Sequence, residues 1–182
     1  MILSFYNVDK DYVKYLQKSE IEYRGFSKVP NMEYSAGHED KLVCGIVLEM
    51  NDFKYYVPIS SYKTQQKNNI LVRLKDKYNP IKGSLRFNYM FPISDEYVSM
   101  RDFSKEKTQN RKLFLHRQLV YCDSIRDDIY DKALETYNDV INGEDEDLVK
   151  NSCAFKLLEQ KCEEYTIKNR IQEVKDNSSE HN

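Results

Sequence analysis

The chain has 182 residues, with 28 lysines and arginines against 30 aspartates and glutamates, and a formal net charge of −2. This length allows one domain with a core of its own, and no apolar run approaches the length of a membrane-spanning helix. The chain does not open with a secretory signal and its four cysteines form no C-x-x-C pair, so we expect a cytoplasmic protein with free thiols.

The first half of the chain predicts short strands and one helix. Asn7 suits the N-cap of a helix over Val8–Lys18, and the segment Ser19–Asp40 is irregular, with glycine and proline as breakers. Asn51 and Asp52 form a turn between two apolar runs, which is typical of a β-hairpin. The predicted strands are Ile2–Tyr6, Leu42–Met50, Phe53–Ile59, Ile70–Leu74 and Ser84–Ile93.

The second half changes to a helical period. Helices are predicted over Asn110–Ile125, Asp127–Asn142 and Ala154–Tyr165, and Gly143 suits the end of the second of them. Strands first and helices last indicate an α+β fold, in which helices pack on an antiparallel sheet. We expect a single domain over residues 1–174 and a frayed polar tail over residues 175–182.

Positive charge is concentrated in one stretch. Between Lys54 and Arg86 the sequence has eight basic residues and one acidic residue, Asp76. A local excess of this kind in a slightly acidic protein is a place where polyanions dock. Aromatic residues interleave with these bases, a mixture that suits single-stranded nucleic acid, although the same residues suit a hydrophobic core.

Metal and nucleotide-cofactor chemistry are disfavoured. The histidines His38, His116 and His181 are scattered, and no Cys/His spacing matches a zinc site. The sequence has no glycine-rich loop of the kind that cradles nucleotide phosphates. We therefore expect no metal and no cofactor.

A hydroxyl-rich segment follows the second strand of the predicted hairpin. Ser60, Ser61 and Lys63 stand where this strand reaches an edge of the sheet. A lysine can stabilise negative charge that develops on a phosphate, and a hydroxyl can donate a hydrogen bond or relay a proton. The pattern alone favours a polar hairpin exit with a surface lysine, because loops are usually polar.

A series of short motifs resembles a known family, the ToxN/AbiQ endoribonuclease toxins of type III toxin–antitoxin systems. The motifs follow the family's order from about residue 3 to residue 165. They are Phe5-Tyr6 with Tyr12 and Tyr15-Leu16, Lys28-Val29-Pro30-Asn31, Gly45-Ile46-Val47-Leu48-Glu49, Lys54-Tyr55, Pro58-Ile59-Ser60-Ser61-x-Lys63, Asn88-x-Met90-x-Pro92-Ile93, Gln118-Leu119 and Asn151-x-Cys153-x-Phe155-x-Leu157-Leu158-Glu159.

The resemblance implies a fold, an activity and a partner. The fold would be a strongly bent, barrel-like antiparallel sheet surrounded by helices, similar to the Kid/MazF toxins. The activity would be metal-independent RNA cleavage that leaves 2′,3′-cyclic phosphate ends, with a role in abortive infection against phage. The partner would be an antitoxin RNA of tandem repeats folded as pseudoknots, which the toxin cuts from its precursor and which then holds the toxin in a closed protein–RNA assembly.

The resemblance also assigns residues to roles. Ser61 and Lys63 match the family's active-site Ser-x-Lys, and Ser60 matches a neighbouring hydroxyl residue. Proton transfer is left open between Tyr12, which matches a helix tyrosine near the scissile phosphate, and Lys41, which matches a basic residue before the central strand. RNA contacts are expected from Lys28, Asn31, Lys54, Lys67, Arg86 and Asn88. The loop between Asn31 and Lys41 does not align with the family, and neither Tyr34 nor His38 is given a role.

Two other functions remain open. A non-catalytic RNA- or DNA-binding regulator would use the same basic stretch without the Ser-x-Lys chemistry. A protein-interaction domain would instead use the acidic helices around Asp127–Asp147 to bind a basic partner.

Overall fold

A computed structural model of the chain describes residues 3–33 and 41–179. Tyr34, His38 and the last three residues of the predicted tail lie outside these ranges. The strands described are β1 (Ser4–Val8), β2 (Val43–Met50), β3 (Phe53–Ser60), β4 (Asn69–Arg73), β5 (Ile81–Arg86), β6 (Phe91–Pro92) and β7 (Val98–Met100). The α-helices described are α1 (Lys10–Arg24), α2 (Gln109–Ser124), α3 (Arg126–Asn142), α4 (Glu146–Lys150) and α5 (Phe155–Ser179). The predicted α+β fold is confirmed.

The strands form one antiparallel sheet in the order β4-β5-β3-β2-β1-β7, and the short β6 pairs with β3. In the part of the chain that the structure describes, β4 and β7 are the two ends of this order and do not pair with each other. The sheet is therefore open, and the barrel-like closure is not confirmed. Strand β3 lies at the centre, where it pairs with β2, β5 and β6.

The hairpin between β2 and β3 forms as predicted. Its turn residues Asn51 and Asp52 have positive φ angles of 52° and 66°. Two successive left-handed residues match the twist of a two-residue hairpin, and asparagine and aspartate tolerate this conformation better than other non-glycine residues. The turn fixes the register in which Met50 faces Phe53.

Helix α1 differs from its prediction at both ends. Its N-cap is Asp9, whose side chain accepts a hydrogen bond from the backbone N–H of Tyr12 at 2.8 Å, and not Asn7. The helix continues to Arg24, so the prediction of irregular structure from Ser19 is wrong. Burial of Glu20 against the core extends the helix, and Gly25, with φ of 83°, ends it in the left-handed conformation.

The predicted strand Ser84–Ile93 is interrupted. A short 3₁₀ turn over Phe87–Tyr89 separates β5 from β6. Phe87 and Asn88 are both buried in this turn, and the side-chain N–H of Asn88 donates a 2.7 Å hydrogen bond to the carbonyl of Asn151. This long-range contact turns the chain out of the alternation that its sequence predicts.

The three predicted helices of the second half are confirmed, and Gly143 ends α3 with φ of 71°. The sequence pattern missed the short elements β7 and α4. Helix α5 continues well past the predicted end at Tyr165, so that residues 175–179 of the expected tail are helical. Of the helices described, none combines the length and hydrophobicity that crossing a bilayer requires.

The core lies between the sheet and the helices. Its largest fully buried side chains are aromatic, and they are Tyr12, Tyr55, Tyr56, Phe5, Phe87, Phe91 and Phe155. The buried carboxylate of Glu159 on α5 accepts hydrogen bonds from the hydroxyls of Tyr55 at 2.8 Å and Tyr137 at 2.7 Å. The four cysteines are buried free thiols, as predicted.

Candidate functional site

A cleft lies at the C-terminal end of β3. Its volume is about 470 Å³, and we call it the Lys28 cleft. One wall comes from the turn that follows α1, and the other comes from the end of β3 and from the chain after β5. The lining residues are Ser27, Lys28, Pro30, Lys41, Pro58, Ile59, Ser60, Ser61, Arg86 and Tyr89.

A smaller cavity of about 190 Å³ adjoins this cleft, and we call it the Gln118 cavity. It lies between the end of β3 and the first turns of α2. Its lining residues are Lys41, Leu42, Ile59, Ser60, Ser61, Lys82, Arg111, Phe114, Leu115 and Gln118. Lys41, Ile59, Ser60 and Ser61 belong to both linings. The polar side chains among them, those of Lys41, Ser60 and Ser61, form what we call the partition between the two spaces.

In the described parts of the chain, the charged side chains that line the Lys28 cleft and the Gln118 cavity are all positive. The cationic side chains that line them are Lys28, Lys41, Lys82, Arg86 and Arg111. Among the described residues, no aspartate or glutamate lines either space. A concave surface lined by one sign of charge focuses the electrostatic potential, so this region attracts a polyanion despite the net charge of the chain.

A larger cavity, of about 580 Å³, has a lining of a different character. It lies at the opposite end of β3 and we call it the Lys54 cavity. Its lining mixes the acids Asp52, Asp95 and Glu163 with Lys54 and Arg170. This mixture of charges gives no comparable attraction for a polyanion, so size alone does not identify the functional site.

Strand pairing fixes the position of Ser60. Ile59 pairs with Leu85 and Ser60 with Ser84 on β5. This close approach needs glycine at position 83, because a Cβ atom there would lie 2.3 Å from the carbonyl oxygen of Ser60. The Ser60 hydroxyl accepts a hydrogen bond from the backbone N–H of Tyr62 at 3.1 Å, which turns the chain after Ser61. Ser61 is exposed at this turn.

Lys41 is held at the partition by the chain before it. Its ammonium group donates a 2.8 Å hydrogen bond to the carbonyl of Asn31, and its backbone N–H donates a 3.1 Å bond to the carbonyl of Met32. The Asn31 side chain does not line the Lys28 cleft; it accepts a hydrogen bond from the backbone N–H of Glu33 at 2.9 Å. Asn31 thus positions Lys41 through its backbone, and its expected RNA contact stays a prediction.

Arg86 combines a charge with two aromatic rings. Its guanidinium carbon lies 4.9 Å from the ring centroid of Tyr62 and 4.3 Å from that of Tyr89. The guanidinium also donates hydrogen bonds to the Tyr89 hydroxyl at 3.3 Å and to the Gln66 side-chain oxygen at 3.4 Å. The Arg86 guanidinium is thus held between two aromatic rings, and together they form a surface on which nucleobases can stack.

Lys28 enters the cleft from the turn after α1. Its ammonium group donates a 3.1 Å hydrogen bond to the side-chain oxygen of Asn151. Lys63 is placed differently, because it is exposed and lines neither the Lys28 cleft nor the Gln118 cavity. It lies two residues beyond Ser61, and its catalytic role stays a prediction.

Tyr12 lines neither the Lys28 cleft nor the Gln118 cavity, and its role in proton transfer stays a prediction. Its side chain is fully buried, and its hydroxyl donates a 2.7 Å hydrogen bond to the carbonyl of Pro92. The ring stacks on Tyr97 with 4.9 Å between centroids. Burial raises the pKa of Tyr12 well above its usual value, which disfavours the phenolate that a general base needs.

Three of the expected RNA-binding side chains also lie elsewhere. Lys54 lines the Lys54 cavity and pairs with Asp95 at 2.5 Å, a hydrogen bond that raises the pKa of the lysine. Lys67 pairs with Asp139 at 3.3 Å, and its side chain does not line the cleft. Asn88 is buried in its contact with Asn151. None of these three side chains lines the Lys28 cleft or the Gln118 cavity.

Sequence reasoning missed the residues that α2 supplies to the site. Arg111, Phe114 and Gln118 line the Gln118 cavity from one face of the helix. Two signals were available, the spacing of three and four residues and the Gln118-Leu119 motif, but neither says against which strands this face packs. Tyr89 was missed because its segment was predicted as a strand. The described residues hold no group of three or more His, Cys, Asp or Glu side chains placed to bind a metal ion.

Comparison with known proteins places this geometry in a family. Residues 4–163 match the model of "Toxin ToxN, type III toxin-antitoxin system". The endoribonuclease AbiQ of Lactococcus lactis subsp. lactis is 31% identical over 183 residues, which cover 94% of this chain and 94% of AbiQ.

Solved structures share the fold. A protein studied for selective toxin inhibition by a non-coding RNA pseudoknot in bacterial type III toxin–antitoxin systems superposes with a TM-score of 0.78 at 20% identity, covering 91% of this chain and 99% of that one. A second, from a bacterial antiviral system regulated by a processed non-coding RNA, has a TM-score of 0.75 at 27% identity, covering 88% and 97%.

Proposed function

The chain belongs to the ToxN family of type III toxin–antitoxin toxins and is an endoribonuclease, and we propose that it cuts RNA at the partition formed by Lys41, Ser60 and Ser61. One observation supports this location. The partition separates two spaces that cations line and that no carboxylate lines among the described residues. An RNA strand that runs from the Lys28 cleft to the Gln118 cavity passes its backbone over these three side chains.

The proposed reaction uses the RNA's own nucleophile. The ribose 2′-oxygen attacks the adjacent 3′-phosphorus, a new P–O2′ bond forms and the P–O5′ bond breaks. The 2′-hydroxyl proton goes to a base, and the departing 5′-oxygen takes up a proton. The products are a 2′,3′-cyclic phosphate and a 5′-hydroxyl end, and the balance of atoms calls for no metal and no cofactor.

The side chains of the partition supply what this reaction needs. Negative charge accumulates on the non-bridging phosphate oxygens in the transition state, and Lys41 and the exposed Lys63 stabilise it. The hydroxyls of Ser60 and Ser61 orient the phosphate and the 2′-hydroxyl by hydrogen bonds. Lys41 is also the candidate that remains for proton transfer, as the acid that protonates the departing 5′-oxygen, because the buried hydroxyl of Tyr12 is bound to the Pro92 carbonyl.

The same surface accounts for inhibition by RNA. We propose that a tandem-repeat antitoxin RNA, folded as a pseudoknot, occupies the Lys28 cleft after the toxin has cut it from its precursor. The solved neighbours come from work on a pseudoknot RNA inhibitor and on a processed RNA regulator. A cleft that binds substrate backbone also binds a folded RNA of complementary shape, and a closed protein–RNA assembly would remove the site from other RNAs. We place this system in the cytoplasm, with a role in defence against phage.

The barrel-like bend of the sheet is part of this proposal. Strand β3 pairs with β6 near its start, at Tyr55 and Tyr56, and with β5 at its end, at Ile59 and Ser60. A change of neighbour along one strand supports a strong bend in the sheet. The bend would present the end of β3 to the cleft.

Cleavage in the presence of EDTA tests the function. The purified chain is incubated with single-stranded RNA of mixed sequence, and the ends are analysed for cyclic phosphate and 5′-hydroxyl groups. Ser61→Ala and Lys63→Ala should reduce the rate at least about 100-fold while the fold stays intact. Lys132→Ala serves as a matched control, because Lys132 lies on α3 and pairs with Glu135. RNA that is tightly bound but uncut would favour the non-catalytic regulator instead.

A further inference from the structure

The Gln118 cavity contains a polar group that the fold does not use. Gln118 is 3% exposed and lies on the row of α2 that also buries Leu115 and Cys122. Within the described residues its carboxamide forms no hydrogen bond, and it lines the cavity. A carboxamide that has no partner in the fold and opens on a cavity is available to a ligand there, since polar groups at such positions are satisfied by water or by a bound molecule.

The surroundings of Gln118 fit a nucleotide. Phe114 lines the cavity, and the Arg111 guanidinium lies 5.7 Å from the centroid of its ring. Lys82, on the opposite wall, is held by Asp76 at 2.6 Å. An aromatic side chain can stack on a base, and the cations can contact phosphate groups. The carboxamide can both donate and accept hydrogen bonds.

We propose that the Gln118 cavity is a nucleotide subsite and that the Gln118 carboxamide reads the edge of the base next to the scissile phosphate. This inference rests on the proposed function, because the cavity shares Lys41, Ser60 and Ser61 with the Lys28 cleft. A base edge that pairs with the Gln118 carboxamide must present a hydrogen-bond donor beside an acceptor. Gln118 is thus a specificity residue, since a site built to hydrogen-bond its substrate rejects an analogue that leaves the buried group unpaired.

The test separates this role from a structural one. Gln118→Leu keeps the volume and removes the polar group, so the melting temperature should stay unchanged or rise. The preference for one base next to the cut should weaken, and the rate on the preferred RNA should fall about 10-fold or more. Cut positions are mapped by sequencing the 5′-hydroxyl ends of a random RNA pool. Gln118→Glu, which keeps the acceptors and loses the donor, should shift the preference to another base.

Thr136→Val is the matched control. Thr136 is also fully buried with a hydroxyl that has no hydrogen-bond partner, but it lies on α3 and lines neither space at the partition. This variant should keep both the rate and the base preference. If the Gln118→Leu and Gln118→Glu proteins cut RNA with the wild-type rate and base preference, this inference is overturned and the proposed function is not. A wild-type chain that leaves RNA intact would overturn the proposed function and the inference with it.

Discussion

The buried carboxylate of Glu20 accepts a 2.6 Å hydrogen bond from the backbone N–H of Ala154, 134 residues further along the chain. The same carboxylate accepts hydrogen bonds from the backbone N–H groups of Lys28 at 2.6 Å and Val29 at 3.2 Å, and it pairs with Arg24 at 2.8 Å. One side chain of α1 therefore holds both the start of α5 and the turn that brings Lys28 to the cleft.

Replacing Glu20 should destabilise the whole chain. Glu20→Ala leaves the backbone N–H groups of Lys28 and Ala154 without their acceptor and the Arg24 guanidinium without its carboxylate, so we expect the free energy of unfolding to fall by about 3 kcal/mol or more. Urea denaturation measures this loss. Glu22→Ala is the control, because Glu22 is exposed and pairs with Lys18 at 3.7 Å, and its loss should change stability by less than about 0.5 kcal/mol. Equal effects of the two variants would mean that the Glu20 hydrogen bonds contribute nothing specific.

Tyr12→Phe should leave RNA cleavage unchanged, because the hydroxyl lies in the core and not at the cleft. Loss of its hydrogen bond to the Pro92 carbonyl should lower the free energy of unfolding by about 1 kcal/mol. A rate that falls 100-fold in a folded Tyr12→Phe protein would restore tyrosine to the catalytic mechanism.

The pH dependence of stability gives a second measurement on Tyr12. Burial raises its folded-state pKa well above the usual value of 10.0. The folded state therefore keeps the proton while the unfolded chain loses it, so the contribution of Tyr12 is fully present below about pH 10 and is lost as the pH rises above it. Tyr12→Phe should flatten this alkaline loss of stability, as followed by urea midpoints. An unchanged slope would mean that other tyrosines, such as Tyr55, dominate it.

The structure divides the predicted RNA-binding lysines into two groups. Lys28 lines the cleft, whereas Lys54 lines the Lys54 cavity and Lys67 pairs with Asp139. For single strands, each neutralised phosphate contributes about 0.7 to the slope of log affinity against log salt concentration. We expect Lys28→Ala to weaken binding of 2′-O-methylated RNA and to reduce this slope by about 0.7, and Lys54→Ala and Lys67→Ala to change neither. The same loss for all three would mean that RNA covers both ends of β3.

The local parts of the fold were predictable from the sequence, and so was part of the site. Asn51-Asp52 specified the central hairpin because these residue types tolerate positive φ angles, and Ser60 and Ser61 follow its second strand. The charge count was less informative. The ends of an eight-residue strand lie about 20 Å apart, and Lys54 and Ser60 lie near opposite ends of β3.

Tertiary packing decided the rest of the site. Helical spacing showed that Tyr12 lies on a face of α1, but that spacing cannot say whether the face meets a core or a cleft. Gln118 occupies a position in the row of α2 that packs on the sheet, where an apolar residue was equally compatible with the periodic pattern. Gln118 and the end of β3 line the same cavity although they are about 60 residues apart in the chain, a relationship that no local pattern contains.

Arg86→Lys should behave as a loss of the side chain and not as a conservative change. The Arg86 guanidinium is within 4.9 Å of the Tyr62 ring centroid and 4.3 Å of the Tyr89 centroid, and it donates to the Tyr89 hydroxyl. A lysine ammonium keeps the charge but has neither the planar surface nor the several fixed donors that hold both rings. We expect Arg86→Lys to weaken RNA binding almost as much as Arg86→Ala, by about 10-fold at moderate salt, in a fluorescence anisotropy titration. If Arg86→Lys binds RNA like the wild type, only the charge of Arg86 contributes to binding. The contacts of Arg86 with Tyr62 and Tyr89 would then have no part in holding the RNA.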